Sequence, residues 1–227
     1  MPILIAKHRN PISPSLLHWR KLEVANAYLE AVKGGDNKAM AEWKRVMDTW
    51  IDHVVDTGMG VAVHPDKGYK MVPDAPYLRE LNARTELLDG HAVMPDGMFE
   101  NIDGPVYTAA DVESYGNRPL SQEQALASPL WTEFIPNRDL RTLAIKYLFL
   151  LGKQRFDLDA MMGAYFPRAQ EKPVMGLWSF WGLEDRSNAG GRVLLGVVVG
   201  RLIGVEPNVA EGDVQKLEYI IRTVQTE

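Results

Sequence analysis

The segment that most constrains the fold is an almost continuously apolar stretch of helix length, Asn137 to Gly152. Its sequence, NRDLRTLAIKYLFLLG, leaves few side chains for water, so neighbouring segments must surround it on most sides. Asn137 or Asp139 can cap the first amide groups, and Gly152 can take the left-handed conformation that ends a helix. We therefore expect a buried central helix over residues 137–152.

Two earlier segments predict an N-terminal helical hairpin. The first covers residues 16–33, follows Ser13 or Ser15 as a cap, and ends at two consecutive glycines. The second covers residues 37–56, and its large apolar side chains recur at spacings of three and four. The connection between them is short, so we expect the two helices to be antiparallel neighbours.

The strongest strand signal follows this hairpin. Two β-rich runs, residues 61–64 and 69–72, flank the turn sequence Pro65 to Gly68 and predict a β-hairpin. We expect a helix over residues 77–89. The turn-rich segment 91–119 is expected to form a second hairpin or an ordered loop.

The C-terminal part of the sequence also favours helices. Residues 157–166 fit a helix that ends at Pro167. Three glycines, Gly196, Gly200 and Gly204, recur every four residues and would form one stripe on a helix spanning 187–206, although the valines there favour a strand. A final amphipathic helix is expected after Pro207.

Together these segments predict a mainly α protein with a minor β component. The expected architecture is a helical domain around the buried helix at about 137–152, with the N-terminal helical hairpin and one or two small β-hairpins. We expect residues 1–227 to form a single globular domain. A subdivision into 1–90 and 120–227, with 91–119 as a loop or hairpin between them, remains open.

Composition excludes several classes of site. Cysteine is absent, which rules out disulfides, thiolate nucleophiles and cysteine-ligated zinc. The first apolar run ends at Lys7 and is too short for a signal-peptide core. The longest later run, Val193 to Val205, is interrupted by Arg201 and is shorter than a membrane span. We therefore expect a soluble, cytoplasmic protein without a membrane segment.

The common catalytic motifs are missing. The sequence contains no phosphate-binding loop with its lysine, no GxGxxG after a strand, no HExxH and no GxSxG. Ser179 lies in GLWSFWG, where the glycines are too far away for a nucleophile elbow, so we interpret it as a packing residue. We predict no catalytic residue, cofactor or metal site, and the balance is against an enzyme.

An enzyme assembled from distant segments nevertheless remains an alternative. Asp48 and Asp52 share a helix face at a spacing suited to paired carboxylates. A metal site would need residues from separate segments, for example His53 and Asp56 with His64. Carboxylates at this spacing more often belong to a solvated helix face, so these residues are only candidates.

Charge is segregated along the chain, which has a net charge of −5. Residues 1–22 and 137–155 are predominantly basic, whereas residues 85–117 contain only acidic charges. Basic stretches that share a face can hold nucleic-acid phosphates, and an acidic stretch can repel nucleic acid or meet a basic partner. The phosphate-binding candidates are Arg9, Arg20, Lys21, Lys153 and Arg155. The candidate acidic patch consists of Asp96, Glu100 and Asp103. Alternatively, the patches neutralise one another or point in different directions.

The segment from Tyr165 to Arg186 is rich in aromatic residues, and its basic and acidic side chains balance. This balance disfavours base stacking and favours either a core or a protein-contact patch, because exposed Trp and Arg are typical interface anchors. The candidate protein-contact residues are Trp178, Trp181 and Arg186.

These observations favour a non-enzymatic macromolecule-binding protein, meaning an adaptor, subunit or regulator of a protein or nucleoprotein assembly. A protein partner is expected, and nucleic acid is possible through the basic stretches. One alternative is an acidic inhibitor that imitates nucleic acid, and the other is the enzyme with a carboxylate and histidine site described above.

Overall fold

The computed structural model describes residues 10–193, 201–202 and 204–205. The helices are α1 Pro14–Gly34, α2 Asn37–Trp50, α3 Pro76–Arg79, α4 Ala109–Tyr115, α5 Gln122–Ala127, α6 Pro129–Phe134 and α7 Arg138–Phe156. The strands are β1 Asn10–Pro11, β2 Val55–His64, β3 Gly68–Val72, β4 Leu87–Leu88, β5 His91–Val93, β6 Ala164–Tyr165, β7 Val174–Phe180, β8 Ala189–Val193, β9 Arg201–Leu202 and β10 Gly204–Val205.

A curled mixed sheet organises the chain. Its main path runs β3-β2-β7-β5-β4, and all neighbours on this path are antiparallel. β8 continues the sheet from β7, β6 pairs with β8 in parallel, and β9 pairs with β2 in parallel. β1 and β10 form a separate antiparallel pair.

The prediction of a mainly α protein is wrong, because this sheet makes the chain an α+β protein. The expected hairpin around Pro65 to Gly68 is present as β2 and β3, but it is only one edge of the sheet. β7, the central strand, reads VMGLWSF and is buried at six of its seven positions. A strand covered on both faces has no alternating polar pattern, so its periodicity does not reveal it.

The N-terminal helical hairpin is present as α1 and α2. Ser13 caps α1, and Gly35 ends it in a left-handed conformation with φ of 67°. Asp36 caps α2, which ends at Trp50 rather than at residue 56, because the remaining residues turn and enter β2.

The expected central helix is α7, which packs against α1 and buries nine of its 19 residues, all between Leu140 and Gly152. It runs past Gly152 to Phe156 and ends where Asp157 adopts a left-handed φ of 53°. Gly152 instead gives room to Met161, whose sulfur would lie 2.7 Å from a Cβ at that position. The glycine therefore serves close packing rather than helix termination.

Three further helix predictions are wrong. Residues 77–89 form only the short α3, followed by turns and β4. Residues 157–166 form an irregular segment and β6. The described parts of the stretch 187–206 form β8, β9 and β10 instead of a helix. Gly196, Gly200 and the helix expected after Pro207 lie outside the described residues.

A large apolar core joins the inner face of the sheet to α1, α6 and α7, and contains side chains from Ile12 to Ala189. A smaller cluster, including Phe99 and Met175, lies on the other side of β2 and β7. Among the described residues, no helix is long and apolar enough to cross a membrane.

Candidate functional site

The eight residues 181–188, which we call the Trp181 loop, connect β7 to β8. β7 ends at Phe180, whose ring packs edge-on against His18 and Trp131 in the core. Side chains alternate along a strand, so Trp181 is directed to the opposite, outer face of the sheet. The alternation of β7 therefore brings an aromatic side chain out of the core at the start of the loop.

Asn188 fixes the path of the loop. Its carbonyl oxygen accepts a hydrogen bond from the backbone amide of Trp181 at 2.8 Å, and its side-chain amide donates to the carbonyl oxygen of Asp185 at 3.0 Å. Its Oδ1 accepts from the amide of Gly163 at 2.7 Å. The loop is thus closed on itself and tied to the segment before β6.

Three residues here have left-handed backbone conformations that non-glycine residues rarely adopt. They are Met162 with φ of 59°, Arg186 with φ of 65° and Ser187 with φ of 48°. The amide of Met162 donates to the carbonyl oxygen of Arg186 at 2.8 Å, so the strained positions hold one another. Such strain persists only where surrounding contacts fix it, and it is concentrated at functional sites.

Tyr165 and Trp181 form a stacked pair that we call the aromatic platform. Their ring centroids are 5.8 Å apart, their planes differ by 10°, and both side chains are half-buried. Gly190, which pairs with Tyr165 across β6 and β8, makes room for the indole, because a Cβ there would lie 2.9 Å from the ring. The platform is therefore a closely packed arrangement in which both residues remain partly exposed.

Arg186 lies at the tip of the same loop. It is exposed, and its guanidinium donates to the carbonyl oxygen of Ala160 at 2.9 Å. Glu184 and Asp185 beside it are also exposed. The tip of the loop thus presents a guanidinium group and two carboxylates to solvent, next to the aromatic platform.

A polar pair continues the outer face next to the platform. Ser179 of β7 is paired in register with Asp56 of β2 on one side and with Gly190 of β8 on the other, and its hydroxyl donates to the Asp56 carboxylate. Burial raises the pKa of Asp56, against the opposing effect of the hydrogen bond from Ser179. Register shifts follow Asp56 in β2 and precede Ser179 in β7.

The predicted protein-contact residues occupy different environments. Trp181 and Arg186 reach the surface, but Trp178 is 0% exposed and packs edge-on against Phe134 and Phe166. Trp178 is therefore a core residue. Sequence inspection did not single out Tyr165 as a contact residue, because its partner Trp181 joins it only through the pairing of β6 and β8.

Of the N-terminal phosphate-binding candidates, the two that the structure describes, Arg20 and Lys21, do not form a basic surface. Arg9 lies outside the described residues. Arg20 forms an ion pair with Glu23, one turn further along α1. Lys21 is only 2% exposed, and its amino group lies inside the protein.

The candidates on α7 are also engaged. Lys153 contacts Asp157 at 2.6 Å and Asp159 at 2.9 Å. Arg155 forms a bidentate ion pair with Asp52, with distances of 3.0 and 2.9 Å. Both of these candidates on α7 are therefore paired with nearby carboxylates.

The acidic patch lies on an ordered loop whose exposed carboxylates include Asp96, Glu100 and Asp103. Glu100 pairs with Lys67 of the β2–β3 turn. The buried Lys70 of β3 donates to two carbonyl oxygens of the same loop, at 3.1 and 2.6 Å. Two lysines thus hold the loop and offset part of its charge.

The candidate carboxylate and histidine site is not assembled. His53 bonds through Nδ1 to the carbonyl oxygen of Asp48, Asp52 is held by Arg155, and Nδ1 of His64 accepts a backbone amide at 3.1 Å. Within residues 10–193 and the short described strands beyond them, no three histidine or carboxylate side chains come together as metal ligands.

No protein-family model and no curated protein sequence matches this chain. A solved structure described as "Accommodation of massive sequence variation in Nanoarchaeota by the C-type lectin fold" aligns with 68% of this chain and 74% of its own. The sequence identity is 15% and the TM-score is 0.46. Similarity at this level does not establish a shared function.

Proposed function

We propose that this chain is a non-enzymatic binding protein that acts as an adaptor, subunit or regulator of a larger assembly. It docks a protein partner through the aromatic platform and Arg186. The observation that carries the proposal is the half-buried stack of Tyr165 and Trp181, held at a loop with strained backbone positions. We place this role in the cytoplasm, in keeping with the absence of cysteine.

The chemistry of the surface suits a protein interface. Trp, Tyr and Arg are the residue types that contribute most to binding when they fill pockets on a partner. The platform is already ordered by Gly190 and Asn188, so little side-chain freedom remains to be lost on association. The partner that fits has an apolar side chain to cover the exposed ring surface and a carboxylate for Arg186.

Nucleic acid fits this chain less well. Each described phosphate-binding candidate is either buried or paired with a carboxylate, so few counterions would be released on binding a phosphate backbone. The competing proposal of an acidic mimic draws on residues 85–117. Several of those acids are already engaged, namely Glu86 with Lys172, Glu100 with Lys67 and Asp111 with Thr108.

The test is a comparison of partner capture by three forms of the full-length protein. The wild type, Trp181→Ala and the control Leu87→Ala are immobilised and exposed to an extract of the native organism, and retained proteins are quantified by mass spectrometry. Leu87 is 50% exposed and lies on the edge strand β4, so the control removes a comparable apolar surface elsewhere. Circular dichroism establishes that each variant is folded.

We expect at least one protein to be retained by the wild type and the control but reduced about tenfold or more by Trp181→Ala. A photo-crosslinking amino acid placed at the exposed position of Arg186 should attach to the same protein. Equal retention by all three forms would overturn the proposal. Labelled single- and double-stranded DNA titrated at several salt concentrations tests the nucleic-acid alternative, which predicts affinity that falls steeply with salt.

A further inference from the structure

One row of paired residues crosses the outer face of the sheet beneath the aromatic platform. Asp56 of β2 is paired with Ser179 of β7, and Ser179 is paired with Gly190 of β8. Gly190 is in turn paired with Tyr165 of β6. Residues that are paired across neighbouring strands carry their side chains on the same face of a sheet. Asp56 therefore lies on the face that carries Tyr165, three strands along the row.

The indole of Trp181 stands over the middle of this row. A Cβ on Gly190 would lie 2.9 Å from Cζ2 and 3.0 Å from Cε2 of the indole, so the ring covers that glycine. One face of the indole is stacked on Tyr165, on the side of β6. The opposite face is therefore directed towards β7 and β2, where Ser179 and Asp56 follow in the row.

The indole and the Asp56 carboxylate are close enough to be bridged by one side chain. Neighbouring strands lie roughly 4.8 Å apart, so about 9–10 Å separates the backbone under the indole from that of Asp56. Ser179 between them is completely buried, so a ligand reaches the ring and the carboxylate from above rather than the serine. A long side chain laid across the row would contact both groups.

The Asp56 carboxylate has binding capacity left. The residue is half-buried, and within the described residues one hydrogen bond to its carboxylate is present, from the hydroxyl of Ser179. The lysine and arginine ion pairs found in residues 10–193 do not include Asp56. A carboxylate can accept about four hydrogen bonds. Burial raises the pKa of Asp56, which means that its charged form lacks solvation that a bound cation would replace.

The backbone around Asp56 holds this carboxylate in place. Oγ1 of Thr57 donates to the carbonyl oxygen of Trp178 at 2.9 Å, and the amide of Met59 donates to Oγ1 of Thr57 at 3.3 Å. The strand pairing is irregular at this point, with register shifts after Asp56 in β2 and before Ser179 in β7. Such irregularities re-aim side chains and are over-represented next to functional sites. The carboxylate therefore has a defined position, which lowers the entropy lost on binding.

We propose that Asp56 and the aromatic platform together form a binding site for a cationic side chain, lysine or arginine, of the partner protein. The apolar stem of that side chain covers the indole, and its charged head group meets the Asp56 carboxylate and the negative face of the ring. The partner thus supplies a cation here and a carboxylate for Arg186, and the two charged contacts fix its orientation. This assignment rests on the proposed function, because it names the group that the platform binds.

The test uses two pairs of small probes whose members differ chiefly in charge. One pair is Nα-acetyl-lysine methylamide and its Nε-acetyl derivative, and the other is Nα-acetyl-arginine methylamide and the corresponding citrulline compound. The full-length protein is labelled with 5-fluorotryptophan, and the ¹⁹F resonance of Trp181, assigned with Trp181→Phe, is followed at about pH 8 and constant ionic strength. We expect at least one charged probe to shift this resonance with a Kd on the order of millimolar. Its neutral counterpart should bind about tenfold more weakly or less.

Two variants locate the charge that the probe recognises. Asp56→Asn keeps an oxygen that can accept from Ser179 but removes the charge, and should weaken the charged probe about tenfold. Asp66→Asn, which removes an exposed carboxylate in the β2–β3 turn, should leave the affinity unchanged.

Three results would overturn the proposal: equal binding of the charged and neutral members of both pairs, no binding up to about 100 mM, or unchanged affinity in Asp56→Asn. The comparison of probes uses the wild type alone, so it decides the question even if Asp56→Asn does not fold.

The outcomes separate this site from the docking role. Charge-selective probe binding together with unchanged capture by Trp181→Ala would support the cation site and refute the docking role. Loss of capture in Trp181→Ala without charge-selective probe binding would do the reverse.

Discussion

Asp52 and Arg155, separated by 103 positions in the chain, form a bidentate ion pair that joins the turn after α2 to the last helical turn of α7. The pair is partly shielded from solvent, with the side chain of Asp52 16% exposed and that of Arg155 33% exposed. This relationship connects the helical core to the turn on which the Trp181 loop rests.

Breaking this ion pair should lower the free energy of unfolding. Arg155→Met leaves a largely buried carboxylate without its two charge-assisted hydrogen bonds, and we expect a loss of about 1–3 kcal/mol at pH 7. Arg20→Met, which removes the more exposed pair with Glu23, should cost less than about 1 kcal/mol. Urea denaturation measures both, and equal losses would contradict the importance given to the Asp52 pair.

His18 should make the protein sensitive to acid. Its Nδ1 donates to the carbonyl oxygen of Pro14 at 2.7 Å, its Nε2 is buried without a partner in the described residues, and burial lowers its pKa to about 3. Between pH 6.5 and 3 the unfolded chain binds this proton and the folded chain does not, so stability falls as pH falls. From pH 7 to pH 5 this one group should remove about 2 kcal/mol.

The control for that effect is His18→Phe, which keeps an aromatic ring between Trp131 and Phe180 but cannot be protonated. Urea denaturation at the two pH values should give a smaller difference for this variant than for the wild type. The same difference in both proteins would mean that other groups cause the acid sensitivity.

Two tryptophans three residues apart should respond differently to truncation. Trp178 is completely buried in contact with Phe134 and Phe166, so Trp178→Ala should cost about 3–5 kcal/mol. Trp181 lies half-buried on the outer face, and Trp181→Ala should cost clearly less while removing the proposed partner contact. Chemical denaturation compares the two variants, and a larger loss for Trp181→Ala would place that residue in the core.

Gly182 is expected to tolerate no side chain. A Cβ would lie 2.3 Å from the carbonyl oxygen of Asp52, and a backbone atom cannot give way as a side chain can, so Gly182→Ala should cost more than about 2 kcal/mol. Gly34, in the last turn of α1, has nothing within 4 Å of such a Cβ. Gly34→Ala should leave the melting temperature unchanged or raise it slightly, because alanine favours the helix. Similar melting temperatures for the two variants would argue against close contact at Gly182.

The local elements that were predicted well have strong signals in adjacent residues. Ser13 as a cap, Gly35 directly after α1 and the turn at Pro65 to Gly68 each act over a few residues, so their structures follow from local chemistry. The local pattern of residues 157–166 favoured a helix, and that prediction is wrong. It forms β6 because the backbone of Tyr165 pairs with Gly190, a partner remote in the sequence.

The candidate site was predictable only in part. Trp181 and Arg186 were identified because their residue types are typical of interfaces, but the same argument selected Trp178, which lies in the core. The choice between them depends on which face of β7 each side chain occupies. Tyr165 becomes part of the platform only through strand pairing.

The sequence by itself determined the buried central helix, the helical hairpin and the β2–β3 turn. Caps, turn residues and apolar spacing specify these elements because they act among residues that are close together in the sequence. Only the tertiary structure decided that β7 forms the middle of a sheet, that Asp52 pairs with Arg155, and that Tyr165 stacks on Trp181. These arrangements join residues far apart in the chain. Their free energy comes from burial and pairing that exist only after the chain has folded, so no local pattern records them.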